Sequence, residues 1–446
     1  MRFLLIKASC PKRYNLAFPP VGLLYLAGAL KKAGYSEVRL LHMDLCKNPH
    51  QALAEELATF RPDVVGISAI TAEAISLHKI AAQIATFVPK PFIIAGGAYP
   101  TSCPDECLNS GNIDAVVRNE GEETLVELVS ALEKGRGLEN IRGVSYIGQG
   151  VPRHNPNRPF IEDLDSLPMP DWSLTDFDRD KAFYPQSGLL YVQTHMSIMT
   201  SRGCPYHCTF CHNMFGKHFR AHSPERVLSE LKTLREAYGI REIEIIDDIF
   251  NLDKERAAEI MRRIRDELPG TKLFFGNGLR GDILTRELID LFAQAGVKSV
   301  SIAVETASPD LQKRVHKNID LPKLSENIHY LVHKRIYTNG FFMMGFPDET
   351  PAELMETIKL IWRLPIHNFI LSPCMVYPGA RLAKTLHMDK KTPLLNNMTA
   401  RASVTGGAFC STLNPRLLPL IKIVAIFVFY FCFPVRVYRI LRDMPF

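Results

Sequence analysis

The stretch "SRGCPYHCTFCHNMFG", residues 201–216, gathers three cysteines, two histidines and three aromatic residues, and its reading decides the rest of the chain. Cys204, Cys208 and Cys211 are spaced CxxxCxxC. A closed tetrahedral zinc site would recruit His207 or His212 as its fourth ligand. A dithiol redox pair would use Cys208 and Cys211 alone, with a third cysteine crowding the strand-to-helix turn that such a pair needs. Neither explains why the run opens a series of βα units. Three thiolates on one compact loop can instead hold three irons of a [4Fe-4S] cluster and leave the fourth open to an outside ligand.

Downstream, "SIMTSR", "EIEIID", "KLFFGN", "VKSVSIAVE", "TNGFFMMG" and "NFILSPC" read as strands, with helical stretches beginning near Pro224, Asp253, Thr285, Leu321 and Pro351. Six βα units predict an incomplete barrel, whose chemistry sits at the strand carboxyl ends. Upstream, "RFLLIKA", "EVRLLHM", "DVVGISAI", "PFIIAGG" and "DAVVR" alternate with amphipathic stretches such as "GLLYLAGALKKAG". Short, continuously apolar strands between helices predict a parallel sheet covered on both faces, with ligands beyond its strand carboxyl ends. The expected fold class is therefore α/β. Residues 1–140 form a Rossmann-like, doubly wound domain, 141–195 a hairpin and proline-punctuated linker, 196–380 a partial (β/α)6 barrel, and 381–446 an extension.

Fifty-three basic against forty-seven acidic residues give no electrostatic case for nucleic acid, and no basic run is interleaved with aromatics. Ten cysteines without the spacing of a secreted disulfide scaffold suit a reduced, cytoplasmic setting. The N-terminal run "MRFLLIKASCPKRYN" lacks the h-region and cleavage site of a signal peptide and reads as a first strand. Near the other end, "LLPLIKIVAIFVFYFCFPV", residues 417–435, is apolar except for Lys422 and is followed by Arg436, Arg439 and Arg442. Its length sits at the lower limit of about 17–25 residues for a spanning helix. Pro419 and Pro434 near its ends favour a shallow helix at a membrane surface, the trailing arginines facing an anionic leaflet; a buried cap helix is the alternative.

CxxxCxxC with an aromatic, Phe210, before the last cysteine resembles the radical S-adenosylmethionine (SAM) superfamily. The resemblance implies a partial barrel, a [4Fe-4S] cluster held by Cys204, Cys208 and Cys211, and SAM on the open iron. Further stretches are similar to family segments. "IIDDIF" supplies Asp247 and Asp248 toward the SAM amino group, and "GNGLRGD" supplies Arg280. "AVETASPDLQKRVHKN" supplies Glu305 and Ser308 near the ribose or carboxylate, and Lys317, with Asn318 where relatives commonly have glycine. "GFFMMGFPDET" places Gly345, Phe346 and Pro347 behind the adenine, with Glu349 capping the turn. His207 and His212 become loop residues, and Phe210 a packing wall.

Residues 1–140 resemble the cobalamin-binding domain fused to one branch of that superfamily, through "PPVGLLYLAGALKKAG", "PDVVGISAIT", "IIAGGAYPTSCPDE" and the "LDSLPMPDW" linker. Ser68 with Ile70, the neighbouring Thr71, and Gly96 with Gly97 are the implied cofactor-lining positions. In "HMDLCKNPH" Asp44 is present, but Cys46 and Pro49 stand where the lower-ligand motif has histidine and glycine, so the resemblance implies cobalamin without a protein imidazole. His42 and His50 read as surface residues, Cys103 and Cys107 as buried small hydrophobes. The implied activity is reductive cleavage of SAM to a 5'-deoxyadenosyl radical and modification of an unactivated carbon, by methylation of an apolar, lipid or isoprenoid-like small molecule. Ring formation or carbon coupling is the alternative within the class, and a non-catalytic corrinoid or iron-sulfur carrier the alternative outside it. A flavodoxin or ferredoxin electron donor and a membrane surface are the expected partners.

Overall fold

The computed structural model describes residues 1–9, 18–175, 195–212, 214–386, 412–414 and 416–444. The chain divides into two compact units, Met1–Tyr184 with His212–Gly216, and Pro185–Cys211 with Lys217–Phe446.

The first unit is a seven-stranded sheet in the order β2-β1-β3-β4-β5-β6-β7. Its strands are β1 (Phe3–Lys7), β2 (Val38–His42), β3 (Val64–Ser68), β4 (Phe92–Gly96), β5 (Ala115–Val117), β6 (Val144–Gly148) and β7 (Val151–His154). The first five pair in parallel and carry the buried apolar runs read from the sequence, as both-face burial requires. The expected hairpin is β6-β7, and it joins this sheet antiparallel to β5 instead of standing apart as a linker. Helices α1 (Val21–Lys32), α2 (Pro49–Phe60), α3 (Ala74–Ile84), α4 (Ala98–Ser102), α5 (Pro104–Leu108) and α6 (Glu122–Glu133) connect the strands. Because β1 pairs with both β2 and β3, strand order reverses there, and the loops after β1, β3 and β4 flank the reversal.

The second unit is a six-stranded, all-parallel sheet in the order β15-β14-β13-β12-β11-β8. It comprises β8 (His195–Ile198), β11 (Glu242–Ile245), β12 (Lys272–Leu279), β13 (Val297–Glu305), β14 (Tyr337–Met344) and β15 (Asn368–Pro373). A short ladder of β9 (Ser201–Arg202) and β10 (Arg220–Ala221) flanks the cysteine loop. Helices α7 (Pro224–Tyr238), α8 (Lys254–Glu267), α9 (Arg286–Gln294), α11 (Leu321–His333) and α12 (Pro351–Arg363) begin where expected. Each starts at a polar cap whose side chain accepts an amide of the first turn: Ser223, Asp253, Thr285, Asp320 and Thr350. Val300, Ile302 and Val304 are fully buried on one face of β13, leaving Ser299, Ser301, Ala303 and Glu305 on the other.

After α10 (Pro309–Arg314) and α13 (Arg381–Thr385), the tail forms α14 (Leu418–Phe431) and α15 (Pro434–Asp443), bent by 80° from one another. Among the described residues no single helix is long and apolar enough to cross a membrane. Trp362 of α12 donates its indole N–H to the Ala425 carbonyl at 3.3 Å, and Phe369 meets Phe429 edge to face at 4.8 Å. Of the three arginines expected to face lipid headgroups, Arg436 and Arg439 turn inward instead and Arg442 stays exposed. Arg436 is buried, donates to the Ile361 and Trp362 carbonyls, and lies 4.1 Å over Phe429; Arg439 donates to the Pro365 carbonyl, and Arg442 pairs with Asp443.

Candidate active site

The cysteine run leaves β9 at the carboxyl end of the barrel and is pinned along its length. Asp247, just after β11, accepts from the Thr200 amide and from the Thr200 and Ser201 hydroxyls, each at 2.6 Å. Asp248 accepts from the Gly203 amide at 3.2 Å. Burial pushes both carboxyls up, against the pull of these donors. Further along, the Thr209 amide donates to the Val315 carbonyl at 3.0 Å, and the Leu382 amide donates to the Thr209 carbonyl at 2.8 Å. Phe210 packs edge to face on Phe346 at 5.5 Å, against Leu311, Val315, Val376 and Leu382. Residues following β11 and those following the last barrel strands thus fix one loop, with Phe210 packed into it.

The three thiols lie within one another's electrostatic reach, and burial pushes Cys204 up and Cys211 up to about 12. Cys211 is nonetheless solvent-accessible. Among the described residues no three His, Cys, Asp or Glu side chains converge as ligands of a single metal ion. His207 is exposed, and His212, grouped with the first unit, hydrogen-bonds Ser102 at 3.0 Å.

The remaining barrel candidates converge on the same end. Glu305 closes β13 at φ +70°, a conformation that costs a non-glycine residue about 1–3 kcal/mol. Gln312 holds it there, donating to the Val304 and Thr306 carbonyls on either side. The Glu305 carboxyl, pushed up by burial, faces Lys317 at 3.5 Å. Asn318 adopts φ +48°, within the left-handed region that asparagine tolerates, so the residue in place of glycine keeps the loop. Arg280 stacks 3.8 Å over Tyr206, pairs with Asp282 at 3.0 Å and donates to the Lys317 and Asn318 carbonyls. Its donors are thus committed to tying the cysteine loop to the loop after α10. Ser308 caps α10 and donates to Glu353 at 3.2 Å. Gly345 turns at φ +75°, and Glu349, fully buried and pushed up to about 7, accepts from the Gly345 and Phe346 amides and so holds the turn that precedes Pro347. Gln312, Tyr206 and Asp282 escaped the sequence reading, because nothing in their local runs marks them as more than helix or loop residues.

In the first unit, Ser68 and Gly96 end neighbouring strands in register, and Thr71 opens a short 3-10 turn. Gly97 turns at φ +94°, and a Cβ there would lie 2.8 Å from the Ala69 carbonyl oxygen, so the close approach of the two loops requires glycine. Segment 42–50 follows the edge strand β2 instead, with the Cys46 thiol on the His42 carbonyl at 3.4 Å and His42 on the Phe18 carbonyl at 2.9 Å. Cys103 and Cys107 are buried, and burial pushes the Cys107 thiol up. Sequence reasoning missed an ion pair at the strand reversal, between Lys7 at the end of β1 and Glu73 after β3.

Two family models match the chain, the radical SAM superfamily over residues 198–361 and the B12 binding domain over residues 13–129. The chain is 35% identical over 367 residues to an uncharacterized methyltransferase of Pyrococcus horikoshii, covering 82% of this chain and 77% of that one. The chain belongs to the radical SAM superfamily, in its branch with a B12-binding domain. The cofactors of this enzyme family are a [4Fe-4S] cluster, SAM and cobalamin. A hopanoid C-3 methylase of Methylococcus capsulatus is 30% identical, covering 82% of this chain and 68% of its own. An anaerobic magnesium-protoporphyrin IX monomethyl ester cyclase of Cereibacter sphaeroides is 28% identical over 78% of this chain, which spans only 56% of the cyclase. Among solved structures, the radical SAM methyltransferase TsrM from Kitasatospora setae superposes with a TM-score of 0.71 at 19% identity, covering 88% of this chain and 76% of that one. That likeness carries the fold of a cobalamin-binding radical SAM enzyme.

Proposed function

We propose that this enzyme methylates an unactivated carbon of an apolar, lipid-like small molecule. The observation that carries the reading is the cysteine loop, three thiols pinned at the carboxyl end of a six-stranded barrel by Asp247, Asp248 and Thr209. Cys204, Cys208 and Cys211 would hold the cluster, and Ser68, Thr71, Gly96 and Gly97 would line the cobalamin. When bound, these groups supply the electron that cleaves SAM and the methyl group to be transferred. The chain's own part is to hold and orient. The turn at Gly345, Phe346 and Pro347, held by Glu349, would back the adenine. Glu305 with Lys317 offers a charged pair to the ribose and carboxylate, and Ser308, Arg280, Asp247 and Asp248 act as positioning residues for the loops that carry those contacts. A flavodoxin- or ferredoxin-like protein would deliver the electron.

The tail supports an apolar substrate class and a membrane-surface location. Leu420, Ile423, Phe427 and Phe431 of α14 and Val435 and Leu441 of α15 are 57–72% exposed, while the opposite face packs on α12. At 14 residues α14 reaches about 21 Å, short of the roughly 30 Å hydrocarbon core, so the bent pair suits a seat in the membrane plane. With Arg436 and Arg439 turned inward, that seat depends on the apolar face. The methylase relative named for a hopanoid points the same way. Anaerobic incubation of the reconstituted enzyme with methyl-deuterated SAM, a strong reductant and a lipid extract is expected to move label into an apolar product. Label confined to water-soluble products would overturn the substrate class. 5'-Deoxyadenosine without methyl transfer would favour ring formation. Flotation of the full chain with phosphatidylcholine vesicles, lost in Phe427→Glu/Phe431→Glu, is the matching test of location; equal flotation of the variant would overturn it.

A further inference from the structure

We propose that the outer faces of α10 and α13 form the surface on which an acidic one-electron carrier protein docks to reduce the cluster. The inference rests on the iron-sulfur reading above and gives the electron a place of entry.

Both helices are short and two-sided. Leu311 and Val315, with Leu382 and Ala383, are buried in one apolar cluster against which Phe210 of the cysteine loop packs. The opposite side carries Lys313, Arg314 and His316 from α10 and the turn after it, and Arg381 and Lys384 from α13, all exposed. Arg381 donates to His316 Nδ1 at 3.4 Å, which joins the two basic faces into one. Arg314 is matched by Glu353 at 2.8 Å, and Asp310 is the one carboxylate carried by either helix. Lys313, Arg381 and Lys384 therefore leave the face net positive.

A solvated basic face is ordinary in itself. What singles this one out is the backbone behind it. The Thr209 amide donates to the Val315 carbonyl at 3.0 Å, and the Leu382 amide donates to the Thr209 carbonyl at 2.8 Å. Thr209 stands between Cys208 and Phe210, while Val315 adjoins His316 and Leu382 adjoins Arg381. A protein seated on the basic face is thus one hydrogen bond and a short run of backbone from the peptide beside Cys208. Electron-transfer partners meet through small, transient interfaces, so a patch of two short helices suffices. Opposite charge on the carrier speeds the encounter and orients it. One electron passes from the reduced carrier to the oxidised cluster, the carrier is oxidised by that electron, and no atom changes hands.

The test compares two reductants on the full chain reconstituted with iron and sulfide. One is reduced flavodoxin, a protein with an acidic surface, and the other is photoreduced deazaflavin, a small molecule that needs no docking site. The readout is 5'-deoxyadenosine formed from SAM, with iron content and cluster absorbance measured separately. Lys313→Glu/Arg381→Glu/Lys384→Glu is expected to slow the rate at limiting flavodoxin by at least about tenfold, and the deazaflavin rate by less than about twofold. Lys313→Gln/Lys384→Gln, which leaves the Arg381–His316 contact in place, is expected to fall between wild type and the triple variant. Added salt is expected to slow the wild type with flavodoxin and not with deazaflavin. Equal flavodoxin rates in wild type and triple variant, or equal losses with both reductants in both variants, would overturn the docking surface. So would a triple variant that keeps its flavodoxin rate and loses binding to anionic vesicles, which would assign the face to lipid headgroups. A wild type active with deazaflavin and inactive with flavodoxin would overturn the docking surface alone. A fully loaded wild type inactive with both would overturn the iron-sulfur reading, and this inference with it.

Discussion

The two ends of the barrel in the second unit are built on opposite principles. At the carboxyl end, Glu305, His316, Asn318 and Asp348 all adopt positive φ, as do Gly203, Gly278 and Gly345. Carboxyls there are pushed up by burial, and one of the three thiols of the cysteine loop is open to solvent. At the amino end the groups are paired and sealed. His367 accepts from the Thr338 amide at 2.9 Å, meets Asp443 at 3.0 Å with both side chains fully buried, and stacks on Tyr337 at 4.6 Å. The tail helix α15 provides that seal. Non-glycine residues with positive φ gather at the carboxyl end, with Arg335 ahead of β14 the exception, and the buried pair at the other end is closed by the tail.

The sharpest way to separate the two ends is to damage one and measure both properties. Cys208→Ala is expected to abolish SAM cleavage, by more than about a thousandfold in rate, with the thermal transition within about 1 kcal/mol of wild type, because loop substitutions of this kind touch little core. His367→Ala is expected to do the reverse. It leaves Asp443 buried with Arg442 as its remaining partner and the Thr338 amide without its acceptor, a loss of about 1–3 kcal/mol read by chemical denaturation. The folded fraction should still assemble the cluster. Equal damage to stability and cluster content by both variants would break the comparison.

A third outcome concerns pH. Glu349 and Glu230 are buried and pushed up to about 7 from the ordinary 4.5, chiefly by desolvation. The folded protein therefore keeps protons that the unfolded chain has released between about pH 4.5 and 7, so stability falls as pH rises through that window. Glu349→Gln keeps an acceptor for the Gly345 and Phe346 amides and removes one of the two groups. Its urea midpoint is expected to fall less than the wild type's between pH 5 and 7.5; parallel slopes would assign the effect elsewhere. Smallest of all, Ser308→Ala removes the cap of α10 and its bond to Glu353, at about 1 kcal/mol.

Much of this architecture is legible in the residues because its signals are local. Alternating apolar strands and capped helices mark both sheets, and CxxxCxxC after a strand marks the cluster loop. What sequence reasoning could not supply is long-range. The Asp247 oxygens are found on Thr200 and Ser201, and the Arg280 guanidinium on Tyr206 and the Lys317 and Asn318 carbonyls, partners that no local run announces. Arg436 and Arg439 looked like headgroup contacts because an apolar run precedes them, yet carbonyls of the α12–β15 connection claim them. Partners more than thirty residues away leave no periodicity to read. The Lys7–Glu73 pair escaped notice for the same reason, since only the parallel pairing of β1 with β3 brings the two together.

The most direct measurement of the central claim is a single anaerobic turnover assay on the full chain reconstituted with iron, sulfide and cobalamin and given SAM and a strong reductant. The account predicts about four irons and one corrinoid per chain, and 5'-deoxyadenosine formed by the wild type and not by Cys208→Ala. A fully loaded wild-type protein that forms no 5'-deoxyadenosine would contradict it.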